Sequence, residues 1–342
     1  MSTTNTPTTD PLRLIAAPFT AFHPDGTLDL DAVPDQARLL RGNGVAGAFV
    51  CGTTGECGSL TVDERRQVAE RWAEAAAAAH THGDAVTGSA APASSRRPEP
   101  LQIIVHVGHS CLEDARRLAA HAADLGVAGI ASVGPYYHRP AGIDELVDWC
   151  ARVAAAAPDL PFFYYHIPSL TGVDLPMDAF LVAAAKRIPT FAGIKFTHHG
   201  LGELARCREA AAETPDPPEL LFGRDEMLLP ALSLGVRAAV GSTYNFAAPL
   251  YLALARSLHD GDLEAARQAQ ATARRMIEVA GRYGGQPALK AVAGMVGRDL
   301  DPCRPPLRTL DAEQRARLGA DLEANGFFTA LFNAAQALTA ER

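Results

Sequence analysis

The residue least explained by its neighbours is a lysine. Only three of the 31 basic residues are lysine, namely Lys186, Lys195 and Lys290, and the rest are arginine. Lys195 lies inside the apolar run Phe-Ala-Gly-Ile-Lys-Phe-Thr (191–197). Between Ile194 and Phe196 an ammonium is desolvated, its pKa falls, and the resulting neutral amine can attack a ketone. Arginine cannot form a Schiff base, so in an arginine-rich chain an amine kept here points to a nucleophile, with a lysine snorkelling at a strand end as the competing role.

Four other stretches carry groups that could serve such a nucleophile. Gly52, Thr53, Thr54, Gly55 and Glu56 directly follow a strand-like run. Two hydroxyls and adjacent backbone N–H groups in a glycine-flanked turn make a compact carboxylate site, or else a pair of helix caps. Tyr164, Tyr165, His166, Ile167 and Pro168 close another run, where a tyrosine can move a proton to or from an intermediate. Strand alternation lets only one of Tyr164 and Tyr165 face inward. Gly223, Arg224, Asp225 and Glu226 end a third run, and Gly241, Ser242, Thr243, Tyr244 and Asn245 a fourth. Carboxylates beside a serine suit a polyol, with helix capping as the competing role for Asp225.

Other residues are set aside. His106 and His109 run out of a strand and are too few for a zinc site, and His198 with His199 is expected in a solvated turn. Cys51 and Cys57 are expected to be packed thiols, since no oriented base accompanies them. No metal site is expected.

The elements that must position these groups alternate between short β-branched or aromatic runs and longer Ala-, Leu- and Arg-rich segments of helical period. Eight strands are expected: Leu14 to Phe22, Ala46 to Cys51, Gln102 to Val107, Gly129 to Val133, Pro161 to His166, Phe191 to Phe196, Leu220 to Gly223 and Arg237 to Ser242. Eight consecutive βα units point to an α/β fold of the closed (β/α)8 TIM barrel type, with a helical C-terminal extension. No G-x-G-x-x-G follows the first strand and no G-x-x-x-x-G-K-[ST] occurs, which counts against a nucleotide fold. The expected organisation is a disordered tail at 1–10, a barrel at 11–245 with a flexible insertion at 80–100, and helices at 246–342.

A net charge of −8 without a basic run argues against nucleic acid or an anionic membrane as partner. Six scattered cysteines read as reduced thiols of a cytoplasmic protein; with no basic region before an apolar one in residues 1–10 and no apolar run of about 18 residues, neither secretion nor membrane insertion is expected.

Taken together, the ends of the second, fifth, sixth, seventh and eighth strands resemble the pyruvate-dependent class I aldolases that include dihydrodipicolinate synthase and N-acetylneuraminate lyase. The resemblance covers roughly residues 11–330. It is closest to the sialic acid subgroup in 164–173 (Tyr-Tyr-His-Ile-Pro-Ser-Leu-Thr-Gly-Val), 222–226 (Phe-Gly-Arg-Asp-Glu) and 241–245 (Gly-Ser-Thr-Tyr-Asn). It implies that Lys195 forms the Schiff base and Tyr165 transfers the proton. Thr53 stands with this catalytic pair and, with Thr54, holds the pyruvoyl carboxylate. Thr197, Gly223, Asp225, Glu226 and Ser242 fall where such enzymes contact the hydroxylated tail of the substrate.

The implied reaction is reversible cleavage of N-acetylneuraminate to pyruvate and N-acetylmannosamine, with no metal and no organic cofactor. The alternative is a synthase-like enzyme or a 2-keto-3-deoxy sugar acid aldolase that joins pyruvate to another aldehyde. Leu170 counts against the synthase, which carries an arginine there to pair with a carboxylate. Arg224 departs from the tyrosine or small residue expected in the lyase. A homotetramer is implied, with Tyr136 or Tyr137 reaching a neighbouring site.

Overall fold

The computed structural model describes residues 12–78 and 100–340. The expected tail at 1–10 and, apart from residue 100, the expected insertion at 80–100 lie outside the described residues.

Eight strands form: β1 (Arg13–Ala16), β2 (Gly47–Val50), β3 (Gln102–His106), β4 (Gly129–Ser132), β5 (Phe162–His166), β6 (Phe191–Phe196), β7 (Glu219–Phe222) and β8 (Ala238–Gly241). Each runs parallel to the next and β8 pairs with β1, closing a barrel with helices between the strands. Six strands are shorter than expected, β6 has the expected bounds, and β7 has the expected length shifted by one residue toward the N-terminus. β1 stops at Ala16, and Phe22 is joined only by an isolated bridge to Leu28.

Alternation along each strand divides the apolar residues into two layers. Ile15, Phe49, Ile104, Phe163, Leu221 and Val240 fill the barrel interior. Leu14, Val50, Tyr164, Ile194 and Phe196 face outward into the larger core against the helices.

One irregularity decides where the lysine points. On the β5–β6 ladder Phe162 faces Phe191 but Phe163 faces Gly193, so Ala192 is an extra residue. Gly193 has φ 153°, and a Cβ there would lie 1.9 Å from the Glu219 carbonyl oxygen, so only glycine fits this bulge. Ala192 packs on the interior cluster, yet Ile194 and Phe196 belong to the outer one. A regular strand with Ala192 inward would turn Lys195 outward; the bulge inverts the alternation and sets Lys195 opposite Tyr165.

The helix Tyr244–His259 follows β8 and spans the boundary drawn at 245/246. Beyond it come Leu263–Arg282, Gln286–Val296, Ala312–Ala324 and Phe327–Ala340. This region is not helical throughout, as the sequence suggested. Residues 297–311 run without helix, and Pro302, Pro305 and Pro306 lack the N–H that a helix interior needs. A new helix starts only where Asp311 and Gln314 form a reciprocal capping box.

Candidate active site

Lys195 is buried near the C-terminal end of β6, at the barrel face where (β/α)8 enzymes place their chemistry. Its Nζ lies 3.8 Å from the ring centre of Phe49 and 4.0 Å from that of Tyr165. Burial pulls its pKa down to about 7, against the opposing pull of Asp225 and Cys57. A substantial fraction of neutral amine is therefore present near neutral pH. The two ring faces favour the ammonium, but desolvation is the larger effect.

Tyr165 faces the interior and Tyr164 the helices, which resolves the choice left open by alternation. Tyr165 Oη is 3.3 Å from Thr53 Oγ1, and burial raises the phenol to about 12, so it holds its proton until a reaction step removes it. Its ring is fixed edge-on against Phe49 and His106. His106 is itself buried, and desolvation holds it well below its usual pKa, hence neutral. Its Nδ1 is 2.9 Å from the Cys51 carbonyl oxygen, which assigns the ring proton to Nδ1. Arg65 locks the same turn by donating to the carbonyl oxygens of His106 (2.6 Å) and Gly108 (2.9 Å).

The turn that carries Thr53 and Thr54 is held from the C-terminal region. Gln286 Nε2 donates to the Thr53 and Thr54 carbonyl oxygens at 3.0 and 3.1 Å. Thr20 Oγ1 donates to the Gly55 carbonyl oxygen at 2.7 Å. Glu56 has φ 56°, a left-handed conformation that a non-glycine residue adopts only when its surroundings impose it. Here the imposing groups are Lys290, whose Nζ lies 2.8 Å from Glu56 Oε1, and the Arg304 N–H, 2.9 Å from Oε2. Neither side chain of the Glu56–Lys290 pair is exposed at all. Lys290 Nζ also donates to the Pro302 carbonyl oxygen at 2.7 Å.

At the ends of β7 and β8, two glycines make room for polar groups. A Cβ on Gly223 would lie 1.9 Å from Thr197 Oγ1, and one on Gly241 would lie 2.0 Å from Asp225 Oδ1. The Thr197 hydroxyl is buried beside Tyr165, whose phenol it helps to hold, with hydrogen-bonding capacity left for a ligand. Asp225 is more committed. Its Oδ2 accepts from the Thr243 backbone N–H (2.9 Å) and hydroxyl (2.5 Å) just before the helix Tyr244–His259, so it acts as a cap for that helix. Burial raises its carboxyl to about 6.

Glu226 Oε1 sits 2.6 Å from Arg224 Nη2, and that guanidinium is 3.3 Å from His199 Nδ1. Arg224, the residue at odds with the lyase pattern, is thus charge-paired at the rim. Ser242 is half-buried at the end of β8, its carbonyl accepting from Asn245. Leu170 is 62% exposed, and a cavity of about 370 Å³ at the mouth is lined by Thr53, His106, Tyr136, Ile167, Leu170 and Gln286. A larger cavity, about 460 Å³, lies between the helices Val33–Gly42 and Gln286–Val296; Lys195 and Tyr165 line neither, and the smaller one is tied to them through Thr53 and His106, which touch Tyr165.

The fold therefore gathers Lys195, Tyr165, Thr53, Thr54 and Thr197 at one rim, and ties Asp225 and Glu226 largely to protein partners. Sequence reasoning missed Phe49, Gln286, Arg65 and the Glu56–Lys290 pair. For Lys290 the signal was present, because it too is a rare lysine between apolar residues. Of the two histidines expected in a solvated turn, His199 is exposed and His198 is half-buried. No metal site was expected, yet one ligand atom each of His166, His198 and Glu203 lie within 4.8 Å of one another.

Comparison with known proteins agrees with this geometry. N-acetylneuraminate lyase from Mus musculus is 34% identical over 319 residues, spanning 92% of this chain and 93% of the mouse protein. The solved structure of Proteus mirabilis N-acetylneuraminate lyase superposes with a TM-score of 0.82 at 36% identity, covering 93% of this chain and 99% of that one. The Aliivibrio salmonicida N-acetylneuraminate lyase gives a TM-score of 0.83 at 34% identity, covering 93% and 98%. A family model described as the dihydrodipicolinate synthetase family matches residues 10–92 and 97–325, and the chain belongs to that family.

Proposed function

We propose that this chain is a Schiff-base-forming carbon–carbon lyase that reversibly cleaves N-acetylneuraminate to pyruvate and N-acetylmannosamine. The observation that carries the reading is Lys195, a desolvated amine with a pKa near 7, set between Phe49 and Tyr165 with the Thr53 hydroxyl within reach of the tyrosine. The N-acetylneuraminate lyases it resembles over nearly their whole length support the choice of substrate.

In this reading the carboxylate of open-chain N-acetylneuraminate docks on the hydroxyls and N–H groups of Thr53 and Thr54, which Gln286 holds in place. Lys195 Nζ adds to the ketone, water leaves, and an iminium forms. Tyr165 gives its proton to the departing water as the iminium forms, and the phenolate so produced, or the substrate carboxylate, then takes the proton from the β-hydroxyl. The carbon–carbon bond breaks, its electron pair passes into the iminium as an enamine, and N-acetylmannosamine departs. Protonation of the enamine and hydrolysis then return pyruvate and free Lys195. Thr197, Glu226 and Ser242 contact the polyol, while Gly223 and Asp225 shape its site. Leu170 cannot make the charge-assisted bond that the synthase reaction uses.

Two measurements test this. The chain is expected to release pyruvate from N-acetylneuraminate, and borohydride with pyruvate is expected to add a stable mass to the peptide containing Lys195. Absence of the adduct would overturn the Schiff-base mechanism. An adduct without turnover of N-acetylneuraminate, but with condensation of pyruvate and a shorter aldehyde, would move the assignment to a 2-keto-3-deoxy sugar acid aldolase.

The same reading includes a homotetramer. Tyr136, Tyr137 (81% exposed) and Leu170 leave apolar surface at the mouth for a second copy to cover. Light scattering giving a monomer mass would remove this part. The six free cysteines are the support for a cytoplasmic location, and no helix among the described residues is long and apolar enough to cross a membrane.

A further inference from the structure

The alternation that turns Tyr165 and Lys195 into the barrel turns their neighbours out of it, and on that outer side a second group of chemistry-bearing residues converges. We propose that His166, His198 and Glu203 form a binding site for a divalent transition-metal ion of the zinc class, back to back with the candidate active site across β5 and β6. Nothing in the aldolase reading requires such a site.

His166 is the anchor of the argument. It is fully buried, packed against Phe196 and His198, and neither ring nitrogen has a hydrogen-bond partner among the described residues. An imidazole always presents a donor and an acceptor or two donors, and leaving such groups unpaired inside a protein is unfavourable.

The other two groups are already aimed at it. His198 Nδ1 lies 3.3 Å from Glu203 Oε2, at the start of the helix Leu201–Ala212. That distance matches the edge of a tetrahedron with metal–ligand bonds of about 2.0 Å. The carboxylate is pre-oriented, since Glu203 Oε1 accepts from the Met177 backbone N–H at 2.9 Å. With all three ligand atoms within 4.8 Å, closure onto one ion needs a movement of at most about 1.5 Å. Two imidazoles and one carboxylate are the donor set of zinc centres that keep a position for water, and His198, half-buried, lies on the side from which water reaches it. A His198–Glu203 ion pair alone would leave His166 unexplained.

Such an ion would tie the end of β5, next to Tyr165, to the end of β6, next to Lys195 and Thr197, and to the helix behind them. Its effect is on rigidity of the rim, separate from the Schiff-base step.

The test uses the full chain, freed of metal with a chelator and titrated with Zn²⁺ by calorimetry and with Co²⁺ by visible absorption. The expected result is one equivalent bound, intense cobalt bands of a low-coordinate site, and a rise in Tm with Zn²⁺. His198→Ala and Glu203→Gln, both outside the deep core and the latter keeping an acceptor for Met177 N–H, are each expected to weaken binding at least about tenfold. His109→Ala, a control for chelation by half-buried His109 and exposed Cys111, is expected to leave it unchanged. No saturable uptake by the wild-type chain, or uptake of equal affinity in His198→Ala and Glu203→Gln, would overturn the site. Pyruvate release from N-acetylneuraminate, measured in the same samples, reports separately on the aldolase reading.

Discussion

Two of the three lysines are buried in the same protein, and their surroundings give them opposite roles. Lys290 is met by the Glu56 carboxylate and the Pro302 carbonyl oxygen, so its charge is fully engaged and its position fixed. Lys195 is met by two aromatic faces and has no hydrogen-bond or ion-pair partner among the described residues. Burial with a partner makes a strut; burial without one makes a reactive amine. The strut serves the amine, because Glu56 ends the turn that presents Thr53 to Tyr165.

The largest effect should come from replacing each lysine by arginine or an apolar residue and measuring pyruvate release. Lys195→Arg keeps the charge but cannot form an imine, so activity is expected to fall by about 10⁴-fold or more. If Lys195→Arg retained more than about one per cent of the wild-type rate, the distinction between the two lysines would fail at its first step.

Next comes the strut itself. Lys290→Met leaves Glu56 as a buried carboxylate without its cation, and breaking such a pair costs about 3–5 kcal/mol. A urea midpoint within error of wild type would show that Lys290 contributes little. Lys290→Met with Glu56→Gln should recover part of the loss, since neither charge then stands alone. Pyruvate release should drop with the misplaced Thr53 turn even where the chain remains folded.

How far the sequence carried this contrast depends on the residue. Eight strands were legible from alternating apolar runs, and Lys195 and the Thr53 turn from their place at strand ends, whereas the choice of Tyr165 over Tyr164 came only with the family resemblance. The rarity of lysine was only half an argument, because it marks Lys290 as strongly as Lys195. What separates them is a partner 234 positions away in sequence, which no local pattern shows. The direction of Lys195 was likewise hidden: counting by twos from inward Ala192 gives the wrong face, and the one local hint of the bulge is Gly193. Asp225 shows the reverse problem. Its sequence context fits both polyol binding and helix capping, and only the Thr243 distances show how far capping claims it.

A smaller and more specific effect lies in the pH dependence. The neutral form of Lys195 attacks, and its pKa is about 7, so kcat/KM for N-acetylneuraminate should fall toward tenfold per pH unit below that value and level off above it. A rate that is flat between pH 5.5 and about 7 would mean that the amine is not the titrating group.

The smallest expected effect is also the one that separates the two lysines by sign. In the folded chain Lys195 has a pKa of about 7, against 10.5 for the free side chain. Between those values the unfolded chain binds a proton that the folded chain does not, so stability rises with pH across that window. Below about 7 both states are protonated, and the full cost of burying the charge is present. Lys195→Met removes that cost while keeping a side chain of similar length, and should therefore stabilise the protein, on the order of 1–3 kcal/mol at pH 6. The gain is held below the full cost because Lys195 also attracts the Asp225 carboxylate, which loses that support. Urea midpoints of wild type and Lys195→Met should converge as the pH is raised from 6 toward 10. Lys290→Met moves the same measurement in the opposite direction, because it removes the partner of a buried carboxylate. A Lys195→Met chain less stable than wild type at pH 6 would make Lys195 a second strut, and the division between the structural and the reactive amine would have to be withdrawn.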